Sequence, residues 1–278
     1  MVLRPLKKVA LPDVSAEAGA AWLGELEKAL AAPGADWYRI ARDTLAQIWY
    51  PGLDVDRVLA DPATPAATRA ALLALDPHHI TLEPEYYAEC DQDKFARVKP
   101  LLWFWYSFDR SPMGGQNVEL AIRFRRLLAG HIFARCGRNF KAFQFVEFSF
   151  GYDIEAGDDV VVHRHVLLDD RGGLTLGDRV SISDYANIYS HTHSIVDQKD
   201  VTSLRTILED DVRITYHATV LAGVKVGRNG MVGAVAVATK DVRPFHVNVG
   251  IPAKSIRVKP NAPPEAFASH RAGGEGKT

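Results

Sequence analysis

The feature that most constrains how this chain can fold is a beat of six residues. From residue 208 to 242, small aliphatic residues recur at Leu208, Ile214, Val220, Val226, Val232 and Ala238. A second set follows four positions later at Val212, Ala218, Val224, Gly230, Ala236 and Val242. An amphipathic helix repeats about every 3.6 residues and a half-buried strand every two or so, so neither accounts for a fixed period of six. That period is the signature of a parallel β-helix, in which each hexapeptide makes one flat side of a coil and turns its aliphatic residue inward. A sandwich would place turns roughly every 8–12 residues without a shared phase.

The same phase runs upstream through Ala156, Val160, Val162, Val166 and Leu168, and again through Leu176, Val180, Ile182, Ala186 and Ile188, with two extra residues between the runs. Glycine follows the inward residue at Gly157, Gly177, Gly227 and Gly233. A tight corner there favours a residue tolerant of unusual backbone angles. Each coil covers the sheet edges and apolar face of its neighbour, so the ends of the stack need caps.

The chain divides into three parts and a tail. Residues 1–100 form a helical N-terminal region, rich in Ala and Leu at helical spacing and broken by Pro33-Gly34, Pro51-Gly52 and Pro62 into three or four short helices. Residues 101–150 read as a linker and a helix from about residue 118 to 136 that caps the first coil. The helix's Arg123, Arg125 and Arg126 form a solvated face over an apolar stripe. The β-helix spans 151–259. The tail, 260–278, begins Pro-Asn-Ala-Pro-Pro and is expected to be disordered.

A formal charge of −1 over 278 residues argues for neither nucleic acid nor an acidic membrane surface as a partner. Cys90 and Cys136 cannot supply a disulfide framework. The start, MVLRPLKKVALPDV, lacks the apolar core of a signal peptide, and no stretch approaches a membrane span, so a cytoplasmic protein is expected.

Chemistry is expected where the repeat is violated, because an insertion creates the concavity that a regular coil lacks. The longest violation follows Ile188, where Tyr189-Ser190-His191-Thr192-His193-Ser194-Ile195-Val196-Asp197-Gln198 intervenes before the beat resumes at Leu208. A histidine at the base of such a loop suits removal of a proton from a hydroxyl or amine. One coil earlier lie His163-Arg164-His165 and, at the two-residue insertion, Asp169-Asp170.

The segments GYDIEAGDD, LGDRVSISDYANIYSHTHS, VLAGVKVG, VATKDV and GIPAKSIR, in this order, resemble the hexapeptide-repeat acyltransferases, specifically the branch of maltose and galactoside O-acetyltransferases. The resemblance covers residues 151–259 and implies a mainly β fold, a left-handed parallel β-helix, with an α-helical N-terminal region. It also implies a homotrimer with active sites between adjacent subunits, acetyl-CoA as co-substrate, no metal, and a sugar or sugar-like acceptor. Carried over, His193 is the general base, and Asp109, His165, Asp170 and Arg213 fall on acceptor-side positions. Lys254 and Arg257 match positions that meet the CoA phosphates, while Ala222, Ala234, Thr239 and Lys240 line the CoA side.

Two of these positions depart from the family. His165 stands where the sugar acetyltransferases carry an asparagine, and Arg213 where they carry a tryptophan. Arginine cannot offer a flat apolar face and favours an anion, so Arg213 and Arg164 point to a phosphorylated, nucleotide-linked or carboxylated acceptor. Two other readings stay open at this stage. One is a metalloenzyme like the γ-type carbonic anhydrases, with His163, His165, His191, His193 and His217 on successive coils as candidate ligands. The other is a β-helix scaffold without activity.

Overall fold

The computed structural model describes residues 9–267 and divides into two compact units. The first comprises Met1–Tyr86 and Gln92–His131, the second Tyr87–Asp91 and Ile132–Thr278.

In the first unit the Pro/Gly breaks separate helices at Asp13–Ala31, Trp37–Trp49, Val55–Ala60 and Ala66–Leu73. Asp36 and Asp54 cap two of them by accepting from the backbone N–H groups of Arg39 and Arg57, which satisfies donors that a helix start leaves without partners. Residues 101–106 are not a linker. They lie within a helix, Gln92–Asp109, and Leu101, Leu102, Phe104 and Trp105 are fully buried. Phe108 stacks on Phe124 of the next helix, Val118–Ile132, with ring centroids 3.9 Å apart. The basic face of that helix is also not wholly solvated, since Arg125 is buried and paired with buried Asp109 at 2.6 Å.

The second unit is a parallel β-solenoid of about six turns. The first five coils each contribute a short strand to each of three sheets, and the last adds to one sheet alone. Sheet A stacks Arg135–Cys136, Ile154–Ala156, Leu174–Leu176, Thr206–Leu208 and Lys225–Val226. Sheet B stacks Lys141–Ala142, Val161–Val162, Ser181–Ile182, Arg213–Ile214, Met231–Val232 and His246–Val249, closed by antiparallel Lys254–Val258. Sheet C stacks Glu147–Phe148, Leu167–Leu168, Asn187–Ile188, Thr219–Val220 and Val237–Ala238. The inward residues named from the beat are buried, with Ile182, Ile188, Ile214 and Val220 wholly inaccessible.

The solenoid starts at Arg135, before the expected residue 151. Its first coil turns Phe140 and Phe148 inward beside Ala142 and Val146, and Phe133 packs edge-on against both phenylalanines at 5.3–5.4 Å. The aromatic filling hides the aliphatic beat from the sequence. At the other end, 264–267 forms a helical turn, and the expected disorder of 268–278 lies outside the described residues.

The three corners meet the crowding between coils differently. At the corner from A to B the glycines do not supply left-handed angles as expected, since Gly157 and Gly177 are absent from the positive-φ positions. They are required by close approach: a Cβ on Gly157 would lie 2.8 Å from the backbone carbon of Gly177, and one on Gly177 would lie 2.7 Å from the Asp210 nitrogen. The left-handed residues come two positions later, at Asn139, Asp159, Arg179, Asp211 and Asn229.

At the corner from B to C, Phe145, His165, Tyr185, His217 and Val235 take φ of 55–61°. Bulky residues seldom do so. Here the aromatic rungs stack: His165 lies 4.9 Å from Phe145 and 4.7 Å from Tyr185, which lies 4.9 Å from His217. Stacking therefore offsets backbone strain at this corner. Tyr185→Ala loses two ring contacts and keeps the strain, whereas Tyr185→Gly loses the contacts and relieves it. Chemical denaturation should show the alanine variant less stable than the glycine variant by about 1–2 kcal/mol, the reverse of their order in helices.

Candidate active site

The corner from sheet C to sheet A is where the coil departs from regularity. It carries, from one coil to the next, residues 149–153, 169–173, 189–205, 221–223 and 239–241. In the third of these the chain leaves as an antiparallel hairpin, His191–His193 against Val201–Ser203. Its neck is closed by the Leu204 N–H donating to the Ser190 carbonyl at 2.7 Å and by Thr206 Oγ1 donating to the Tyr189 carbonyl at 2.6 Å. Gly172 allows this closure, because a Cβ there would lie 2.2 Å from the Ser190 carbonyl oxygen.

His193 is exposed at the end of the first hairpin strand. Its Nδ1 lies 2.8 Å from the backbone carbonyl oxygen of Gln198. A carbonyl only accepts, so Nδ1 carries the proton and the lone pair of the neutral ring is on Nε2.

His191, two residues earlier, is differently placed. Its Nδ1 donates to Asp169 Oδ2 at 2.6 Å, and its Nε2 lies 3.1 Å from Arg171 Nη1. A guanidinium only donates, so the His191 lone pair is occupied. Arg171 continues to Glu89 and lies over the Tyr87 ring, 4.0 Å from its centroid. Burial opposes ionisation of Glu89, but a backbone hydrogen bond and the Arg171 guanidinium outweigh it and hold the carboxyl below its usual range. Asp169 and His191 sit in motifs visible in the sequence, whereas nothing in residues 87–89 signalled their part.

Asp170 shares this corner but is fully buried. Its carboxylate accepts from the backbone N–H groups of Phe150 at 2.7 Å and Asp153 at 3.1 Å. Burial pushes its carboxyl up to about 6 despite these donors. Ala222, Thr239 and Lys240 lie on the same corner in later coils. His165 and Ala234 lie on the corner from B to C, with His165 held in the ring ladder. Arg213 is exposed on the outer face of sheet B, and burial together with its charge lowers the Lys259 ammonium to about 8. Lys254 and Arg257 lie exposed on the closing strand. Asp109 belongs to the helical unit, where its carboxylate is buried against Arg125. The fold thus brings the hairpin, Asp170, Ala222, Thr239 and Lys240 to one corner of one chain and leaves His165, Ala234 and Arg213 away from it.

Among the described residues no three His, Cys, Asp or Glu side chains converge as metal ligands. The candidate imidazoles have other partners: His163 stacks on Phe143, His165 and His217 flank Tyr185, and His191 is bound to Asp169. No described helix is long and apolar enough to cross a membrane.

No family model matches the chain. It is 28% identical over 137 residues to the galactoside O-acetyltransferase of Escherichia coli K12, covering 48% of this chain and 68% of that protein. Among solved structures, a galactoside acetyltransferase in complex with coenzyme A superimposes with a TM-score of 0.54 at 26% identity, covering 62% of this chain and 85% of that one. The maltose O-acetyltransferase of Clostridium difficile 630 shares the fold, with a TM-score of 0.55 at 23% identity over 63% of this chain and 91% of that one. The parallel β-solenoid with its helical N-terminal region matches the fold of left-handed β-helix acyltransferases. The chain is thus similar to hexapeptide-repeat acyltransferases, sugar O-acetyltransferases among them.

The buried Asp170 makes a pH-dependent contribution to the stability of this corner. Burial raises its carboxyl from an ordinary 3.8 to about 6 in the folded chain. Its contribution is therefore full below about pH 4 and is lost as pH rises through 6, by roughly 3 kcal/mol. In denaturation experiments the stability of wild type relative to Asp170→Asn should be greater at pH 4.5 than at pH 7.5. A difference independent of pH would show that Asp170 is ionised throughout.

Proposed function

We propose that this protein transfers the acetyl group of acetyl-CoA to a hydroxyl of a sugar or sugar-like acceptor, with His193 as general base. The observation that carries the assignment is the tautomer of His193. With Nδ1–H held by the Gln198 carbonyl, Nε2 has its lone pair available on an exposed ring, whereas that of His191 is taken by Arg171.

In the reaction, the acceptor O–H gives its proton to His193 Nε2 as its oxygen bonds to the thioester carbonyl carbon. The tetrahedral oxyanion then collapses, the carbon–sulfur bond breaks, and the proton on His193 passes to the departing CoA sulfur. General base catalysis of this kind contributes about 10²–10⁴-fold. The oxyanion needs donors in place before it forms. No covalent intermediate on the protein is required, and Cys90 and Cys136 lie outside the histidine motif.

A homotrimer with shared sites supplies what one chain lacks. The resemblance assigns His193, His165 and Arg213 to a single site, yet these residues occupy two different corners and a sheet face of one solenoid. A groove between the His193 corner of one copy and sheet B of the next reunites them. Ala222, Thr239 and Lys240 continue along the His193 corner, the path proposed for the CoA arm, while Lys254 and Arg257 offer cations to its phosphates. Arg213 in place of a stacking tryptophan favours an acceptor carrying a phosphate, nucleotide or carboxylate group. A reaction that consumes acetyl-CoA fits a cytoplasmic location.

The test is acceptor-dependent thiol release from acetyl-CoA across neutral sugars, sugar phosphates, nucleotide sugars and amines. His193→Ala should lose about 10²–10⁴-fold in kcat and still bind CoA. Activity retained in that variant would remove His193 as the base. Arg213→Ala should lose activity selectively toward anionic acceptors, and an equal loss toward neutral ones would count against an anionic acceptor.

A further inference from the structure

The hairpin that carries His193 has little to direct it beyond its neck. Ile195 and Val196 at its tip are almost fully exposed, so packing within the described chain does not hold that end. The direction in which the hairpin leaves the coil, and with it the place of His193 Nε2, is set where residues 189–191 and 203–206 rejoin the solenoid.

His191 stands at that junction. It shares a strand face with His193, because side chains two apart on a strand point the same way, and the two rings meet edge to face at 5.2 Å. Unlike His193, it is gripped from both sides by the preceding coil: its side chain is 16% exposed and that of Asp169 1%. Asp169 is itself fixed, with Oδ1 accepting from Ser149 Oγ at 2.6 Å and Oδ2 from the Ser190 N–H at 2.9 Å. Arg171, its side chain 6% exposed, is held by Glu89 and by the face of the Tyr87 ring. An acceptor-only carboxylate on one ring nitrogen and a donor-only guanidinium on the other hold His191 in one tautomer and one orientation. Such an arrangement uses up the chemistry of the ring and leaves its rigidity.

We infer that His191 is a positioning residue for His193. The chain Glu89–Arg171–His191–Asp169 clamps the hairpin root to the coil below and aims Nε2 of His193. The inference rests on the reading of His193 as the general base and adds to it the device that places the base.

The experiment compares His191→Phe and His191→Asn with wild type and His193→Ala, as full chains, using acetyl-CoA and methyl galactoside or whichever acceptor of the panel wild type uses best. Phenylalanine keeps the ring and loses both hydrogen bonds. It should lower kcat about 10–100-fold, the scale of a displacement near 1 Å, while the KM for acetyl-CoA changes less than about threefold. Asparagine places an amide nitrogen near the position of Nδ1, can still donate to Asp169, and should recover most of the loss. A crystal structure of His191→Phe, which needs no acceptor, should show His193 displaced while the coils below it superimpose on wild type.

Wild-type kcat in His191→Phe, or a His193 that superimposes on wild type, overturns the positioning role and leaves the base assignment to be judged by His193→Ala. Activity that survives His193→Ala and is abolished by His191→Phe overturns both, since His191 would then be the base. Should His191→Phe fail to fold, Glu89→Gln weakens the same clamp from its more exposed end and should give a smaller fall in kcat with the KM for acetyl-CoA held. An unchanged kcat there would overturn the proposal.

Discussion

The solenoid depends on the in-register seating of each coil on the next. The Val161 N–H donates to the Val180 carbonyl, Ser181 to Val212 and Arg213 to Gly230, all at 2.9–3.0 Å, and each such step also covers an inward aliphatic side chain. Two-residue strands have no stability of their own. They persist because every coil satisfies the polar edge and apolar face of its neighbours, so stability accumulates along the stack. The same seating dictates what the corners tolerate: no side chain at Gly157 and Gly177, carboxylates at Asp178 and Asp210 that accept from the N–H groups of Asp158 and Asp178, and flat rings where strained residues must lie one above another.

Against that regularity, the corner bearing His193 shows how a solenoid lets a segment leave the coil. Two adjacent carboxylates divide the work. Asp170 turns inward and holds the backbone of the coil below through the Phe150 and Asp153 N–H groups, at the energetic cost of a buried charge. Asp169 turns toward the excursion and accepts from Ser149, Ser190 and His191. One carboxylate therefore keeps the solenoid closed while the other anchors the segment that leaves it. The two histidines differ in the same way, His191 bonded at both ring nitrogens by Asp169 and Arg171 and His193 bonded at Nδ1 by the Gln198 carbonyl.

Much of the coil was legible because its cause is local and repeated. Inward aliphatics at a fixed spacing follow from three flat sides per turn, and the break after Ile188 was visible as an interruption of phase. Legibility failed where a different residue type met the same need. Phe140 and Phe148 fill the first coil, so the beat appeared to begin one coil late. The glycines were visible, but their cause was not, because the atoms they avoid belong to a coil 20 residues or more away, as with Gly157 and Gly177. The run 101–106 showed no helical periodicity because that helix is buried on most of its sides.

What the sequence by itself determined is the period, hence a parallel β-helix, and the place where a histidine-bearing segment interrupts it. What only the tertiary structure decided is which groups meet. Arg171 could reach His191, and Glu89 could reach Arg171, only after coiling brought together residues 20 and 82 positions apart. The difference between His191 and His193 lies in what each Nε2 faces, which no spacing along the chain records. A repeat is written in neighbouring residues because each coil solves the same local problem, whereas a hydrogen-bonded site depends on distances across coils that exist only once the stack has formed.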